Sequence, residues 1–128
     1  MSYYAERTRG TQGPEPYARD LVYELLAEAR VLVQRGWCQG TCARDCEGRP
    51  VLPWDERAVS WSAMGALMQA WHNREEGDRA EDGFRGAARA LDDVVKLGPQ
   101  SWNDVPDRTS GDILDAFDAA ITDLLAQR

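Results

Sequence analysis

Residues 17–35 read YARDLVYELLAEARVLVQR. Leu21, Val22, Leu25, Leu26, Ala29, Leu32 and Val33 recur at steps of three and four, which lays one apolar face along a helix. Glu24 and Glu28 precede Arg30 and Arg35, an order that follows the helix dipole. Gly36 stands where a helix commonly ends on a left-handed residue. The spacing therefore predicts a helix over 17–35, and its long apolar face demands other helices to cover it.

Three further segments answer that demand. Asp55 to Asn73 reads as a helix with Asp55 as N-cap, acidic Glu56 in its first turn, and Val59, Ala63, Ala66, Leu67 and Ala70 on one face. Gly65 and the alanines allow another helix to approach closely. Phe84 to Leu97 carries Phe84, Ala87, Ala88, Leu91, Val94 and Val95, and Gly98-Pro99 stops it. Thr109 caps the last helix, with Asp112 in the third position of a weaker capping box, and Ile113, Leu114, Phe117, Ile121, Leu124 and Leu125 form its stripe. Arg74 to Asp82 reads as a charged connection.

Between these helices lie two segments without helical period. Residues 37–54 hold Gly40, Gly48, Pro50 and Pro53, and Asp45-Cys46-Glu47-Gly48 suits a turn within a short hairpin over Arg44–Val51. Residues 100–108 hold Trp102-Asn103-Asp104. Residues 1–16 are polar and broken by Gly10, Gly13, Pro14 and Pro16, which predicts a flexible lead. The expected fold is all-α: a compact four-helix domain over 17–128 with two ordered loops, 37–54 and 100–108, and little or no strand.

Composition bounds the function. A chain of 128 residues, 43% hydrophobic and 29% charged, is ordinary globular material. Its formal charge of −7 argues against nucleic acid or an anionic membrane as the main partner. No stretch reaches the roughly 18–20 apolar residues of a membrane span, and the first residues lack a signal peptide's apolar core. A reducing cytoplasm is the expected compartment, with thiols rather than disulfides. Lys96 is the only lysine among the 15 basic residues, so positive charge is carried almost wholly by planar guanidinium groups.

The cysteines, Cys38, Cys42 and Cys46, are spaced C-x3-C-x3-C, and His72 is the sole histidine. Three thiolates and an imidazole suit tetrahedral zinc, but the usual knuckle is C-x2-C, so no metal or other cofactor is expected. Buried or half-exposed thiols are the plainer reading. A nucleophilic Cys38 paired with His72 or Asp104 is the one visible catalytic arrangement. A helix C-terminus beside Cys38 raises rather than lowers a thiol pKa.

A polar set is more suggestive. Gln39, Arg44, Asp45, Asn103, Asp104 and Arg108 fall in the two loops beside Trp37 and Trp102, with Trp61 near. Aromatic walls with a few converging polar groups make a ligand pocket. The same residues also serve structure, since Asn and Asp fold loops and Arg–Asp pairs pin them. Trp54 and Trp71 flank the second helix as core or as an exposed patch.

Gly36-Trp37-Cys38-Gln39-Gly40, Ala43-Arg44-Asp45 and Gly48-Arg49-Pro50-Val51 come first in a chain of motifs. Ala58-Val59-Ser60-Trp61 with Gly65-Ala66-Leu67, then Trp102-Asn103-Asp104-Val105-Pro106-Asp107-Arg108-Thr109, follow in order. Together they resemble a small bacterial and phage-borne family classed only as a domain of unknown function. The resemblance implies one helical domain and no known activity. It singles out Trp37, Gln39, Gly40, Arg44, Asp45, Trp61, Trp102, Asn103, Asp104, Arg108 and Thr109. Cys42 and Cys46 fall on its variable positions, and Asp107 replaces an expected glycine. The leading expectation is a non-catalytic module that binds a small molecule, peptide or protein through the two loops. A homodimer built on spare apolar surface and a Cys- or Asp-dependent hydrolase or transferase are the alternatives.

Overall fold

The computed structural model describes residues 16–74 and 78–127; the predicted lead over 1–16 lies outside them, save Pro16. Helix α1 spans Pro16–Arg35. A two-stranded antiparallel pair follows, β1 (Ala43–Arg44) with β2 (Ser60–Trp61), in the register Ala43↔Trp61 and Arg44↔Ser60. Helix α2 is Ala63–His72, α3 is Asp78–Val95, α4 is the five-residue Pro99–Asn103, and α5 is Ser110–Ala126.

The α1 stripe is the centre of the core. Leu21, Val22, Leu25, Leu26, Ala29, Leu32 and Val33 are all buried, and α1 packs against α2, α3 and α5. Those helices contribute Ala66, Leu67 and Ala70 from α2, Ala87 and Leu91 from α3, and Ile113, Phe117, Ala120 and Leu124 from α5. Small residues set the spacing. A Cβ at Gly83 would come within 2.6 Å of Leu21, and one at Gly86 within 2.6 Å of Val22, so α3 sits nearly backbone-close on α1. Bare α3 backbone thus lies under α1 side chains, a contact any larger residue would push apart.

Three boundaries and one expected glycine conformation differ from the sequence expectation. The second helix starts at Ala63, not Asp55. Asp55 spends its capping carboxylate on a tight turn, where Oδ1 accepts from the Arg57 N–H and the Asp55 carbonyl accepts from the Ala58 N–H. Val59 to Trp61 then runs extended, as β-branched and aromatic residues favour. The real N-cap is Ser62, whose side chain accepts from Gly65 N–H. Consequently Val59 is outside the core, and strand content is small but not nil.

The expected connection over 74–82 is shortened by α3, which begins at Asp78 and buries Ala80. The expected loop 100–108 opens with α4. Gly36 is not left-handed; among the described residues the positive-φ positions are Gly40, Gly48, Gly98 and Lys96. Gly36 is needed because a Cβ there would collide with the Val59 carbonyl. The Gly48 turn and the Thr109–Asp112 capping box both form as the sequence suggested. No helix among the described residues is long and apolar enough to cross a membrane.

Candidate functional site

Loop 37–45 folds as a mini-sheet. Trp61 N–H donates to the Gly36 carbonyl and Cys38 N–H to the Trp61 carbonyl, so the chain leaving α1 pairs with β2. On the far side, Asp45 N–H bonds the Arg49 carbonyl and Val51 N–H the Ala43 carbonyl, closing the hairpin around Gly48. Asp45 organises its tip by accepting at Oδ1 from the Glu47 and Arg49 amides. Those bonds, led by the Arg49 amide, hold its carboxyl below the usual carboxylate range.

The joint between the two loops centres on one side chain. Asn103 is fully buried. Its Oδ1 accepts from Trp37 Nε1 at 2.8 Å and from Ala63 N–H at 2.9 Å. Its Nδ2 donates to the Cys38 carbonyl at 3.1 Å and to Asp104 Oδ1 at 3.0 Å. The amide therefore ties α1's exit, the start of α2 and the end of α4 at one point. All four partners accept only this orientation of the amide, because a flip would set like against like at each.

Around it the contacts continue. Gln39 Nε2 donates to the Asn103 and Val105 carbonyls, both at 2.9 Å. Asp104 accepts from Gly40 N–H and from Gln100 Nε2, and Gln100 Oε1 accepts from the buried Ser62 hydroxyl at 2.9 Å. Burial by itself would raise the Asp104 pKa. The Gly40, Asn103 and Gln100 bonds and the Arg44 charge outweigh it, so the group stays ionised below its ordinary range.

The two loop arginines differ. Arg44 is consumed internally: its terminal nitrogens donate to the Gly48 carbonyl at 2.9 Å and the Gln39 carbonyl at 2.8 Å. Arg108 lies over the Trp102 ring, 4.0 Å from its centroid, with Nε donating to the Trp102 carbonyl. Its two terminal nitrogens have no acceptor among the described residues. The expected Arg–Asp pins between Arg44 or Arg108 and Asp45 or Asp104 are thus replaced by amide-to-carbonyl and amide-to-carboxylate bonds. Asp45 pairs instead with Arg49 at 3.2 Å.

The remaining predicted residues are dispersed. Trp61 is buried, with its indole N–H on the Pro53 carbonyl. His72 stacks on Trp54, with ring centroids 5.0 Å apart, and Trp71 stacks on Phe84. Cys38 is buried, Cys42 half-buried and Cys46 exposed. The Cys38 thiol donates to the Thr41 carbonyl, and burial pushes its pKa up. Burial and then the Asp104 charge do the same to Cys42. Among the described residues no three His, Cys, Asp or Glu side chains are grouped to hold a metal ion.

Sequence reasoning missed Ser62 and Gln100. Ser62 was legible as a cap, since a small-residue helical run begins directly after it. Gln100 carried no signal, because its partners Ser62 and Cys42 lie 38 and 58 positions away. A family profile described as a family of unknown function, DUF6197, matches residues 18–123. No curated protein and no solved structure matches the chain.

Proposed function

The chain belongs to this family of unknown function, and we propose that it serves as a non-catalytic binding module whose contact point is Arg108 on Trp102. The ligand class is one carrying a carboxylate or phosphate, on a small molecule or on a partner protein. One observation carries this reading. Where Asn103, Gln39, Asp104 and Arg44 all bond inward, Arg108 alone keeps two guanidinium donors free of any acceptor among the described residues. The Trp102 ring and carbonyl hold that fork in a fixed plane, which suits bidentate recognition of a planar or tetrahedral anion. Non-catalytic character is supported by burial, which disfavours the reactive thiolate at Cys38 and Cys42, and by the Gly40, Asn103 and Gln100 bonds that lower the Asp104 pKa and so weaken it as a base.

Titration with succinate and, separately, inorganic phosphate tests it by NMR. Saturable shifts are expected at the Trp102 indole N–H and its neighbours, and Arg108→Gln should abolish them. Absence of any saturating shift in the wild type, or its persistence in Arg108→Gln, overturns the proposal.

A homodimer is the second reading. It rests on Leu52, Trp54 and Val59, which are 58%, 40% and 49% exposed within one short stretch. Exposed apolar residues this close together favour a contact surface. Light scattering after size exclusion tests it, and a monomer at high concentration counts against it.

A further inference from the structure

The outward face of α1 carries an apolar row that lies outside the core. Ala27 stands two residues from each of Leu25 and Ala29, about 200° around the helix from both. Those two are fully buried, so Ala27 lies on the side away from the core. Tyr23 and Val31 are four residues before and after it, in the same row. They are 42% and 44% exposed, on a face where a solvated helix ordinarily presents charge. Most charges flanking the row are already paired within the chain: Arg74 with Glu24 and Glu28, and Arg30 with Asp118. Asp20 and Arg35 are the exceptions. Both are exposed on this outward side, and neither side chain has a partner among the described residues.

We propose that this face binds a second copy of the chain, the two α1 helices crossing antiparallel at Ala27. A two-fold axis there sets each residue against the one equally far on the other side of Ala27. Tyr23 of each copy then meets Val31 of the other, and Ala27 meets its own equivalent. The charges fit the same centre. Asp20 is seven residues before Ala27 and Arg35 eight after it. At about 1.5 Å per residue these are about 10 and 12 Å along the axis, so each Asp20 arrives beside Arg35 of the other copy. The apolar row and the charge pair are separate observations, and both are self-complementary about one residue. Only the antiparallel sense makes them so, because a parallel pair would set Asp20 on Asp20 and Arg35 on Arg35. Alanine at the crossing allows a close helix approach, with an interaxial distance of about 8 Å. The surface shares no residue with the Arg108 site or with Leu52, Trp54 and Val59. One helix face per copy makes a small interface, so a reversible, concentration-dependent dimer is expected.

The test is sedimentation velocity on the full chain, over roughly a hundredfold range of concentration up to about 1 mM. A shift from monomer to dimer is expected. Val31→Glu should weaken the dimer about tenfold or more. Its thermal melt should match the wild type, because Val31 is exposed in the single chain. Asp20→Arg alone sets arginine against arginine, and Arg35→Asp alone sets aspartate against aspartate. Each should weaken the dimer about fivefold to tenfold, and the double swap should restore it. Trp54→Ser should leave it intact. The proposal is overturned by a monomer throughout the range, by a dimer that survives Val31→Glu, or by a double swap that fails to recover. A dimer lost in folded Trp54→Ser also overturns it, since pairing would then belong to the Leu52, Trp54 and Val59 surface.

Discussion

Replacing Asn103 by aspartate changes one NH2 group to oxygen at constant shape. The acceptor half of the side chain is preserved, so Trp37 Nε1 and Ala63 N–H keep their partner. The donor half is lost, and the new oxygen faces the Cys38 carbonyl and the Asp104 carboxylate, both acceptors. Each such loss at a buried site costs about 1–3 kcal/mol, with the upper end for the bond to a charged group. The sum is about 3–5 kcal/mol, a large share of the roughly 5–15 kcal/mol that holds a domain together. A midpoint drop of about 10–20 °C should follow for a chain this size.

The loss also has a definite pH dependence. Burial and the neighbouring ionised Asp104 raise the folded-state pKa of the carboxyl at position 103 above its unfolded value of about 3.9. Below that value the acid is protonated in both states and can donate a hydrogen bond again. As pH rises through the raised folded pKa, the recovered stability is lost. The gap between Asn103→Asp and wild type should therefore be smallest near pH 4 and widest near pH 7. Urea unfolding followed by tryptophan fluorescence at both pH values measures it. A gap under about 1 kcal/mol at neutral pH, or one that does not change with pH, would refute the account of Asn103 as the joint between the loops.

Gly65→Ala should destabilise the fold by about 1–3 kcal/mol in a thermal melt, because its methyl group meets the Cys42 carbonyl. Thr109→Ala removes the cap of α5 and should cost about 1 kcal/mol by chemical denaturation. The Arg57 bonds hold the Asp55 carboxyl at a pKa of about 2, so its contribution to stability is present above the unfolded pKa and fades as pH falls through that value. An NMR titration of Arg57→Gln should return Asp55 to the ordinary carboxylate range. With an aromatic disulfide reagent at neutral pH, Cys46 should react first and Cys38 only as fast as the protein opens, given their exposures.

The helical frame was legible because its signals are local. The α1 stripe and the Thr109 capping box depend on residues within a turn or two of one another, and both formed; Gly98-Pro99, read as the stop of α3, instead opens α4, and α3 ends at Val95 before a left-handed Lys96. The start of α2 was misread because Asp55 caps a tight turn as readily as a helix. The choice was made by pairing of Val59–Trp61 with Gly36, Cys38 and Arg44, which no local window contains. The start of α3 was misread because the charged run 78–82 looks solvated, and only the folded chain buries Ala80 within it.

By itself, the sequence determined that α1 would organise an apolar core, and it picked out Trp37, Gln39, Arg44, Asn103, Asp104 and Arg108 as the residues of interest. Only the tertiary structure decided what each does. Hydrogen bonds depend on distance and direction between residues 64 to 66 positions apart in sequence, and residue type alone cannot reveal whether a donor meets an acceptor or solvent. Asn103, Gln39 and Asp104 meet partners and become a joint. Arg108, chemically the twin of Arg44, keeps its two terminal nitrogens without an acceptor among the described residues, because the Trp102 contacts take only its Nε and its face.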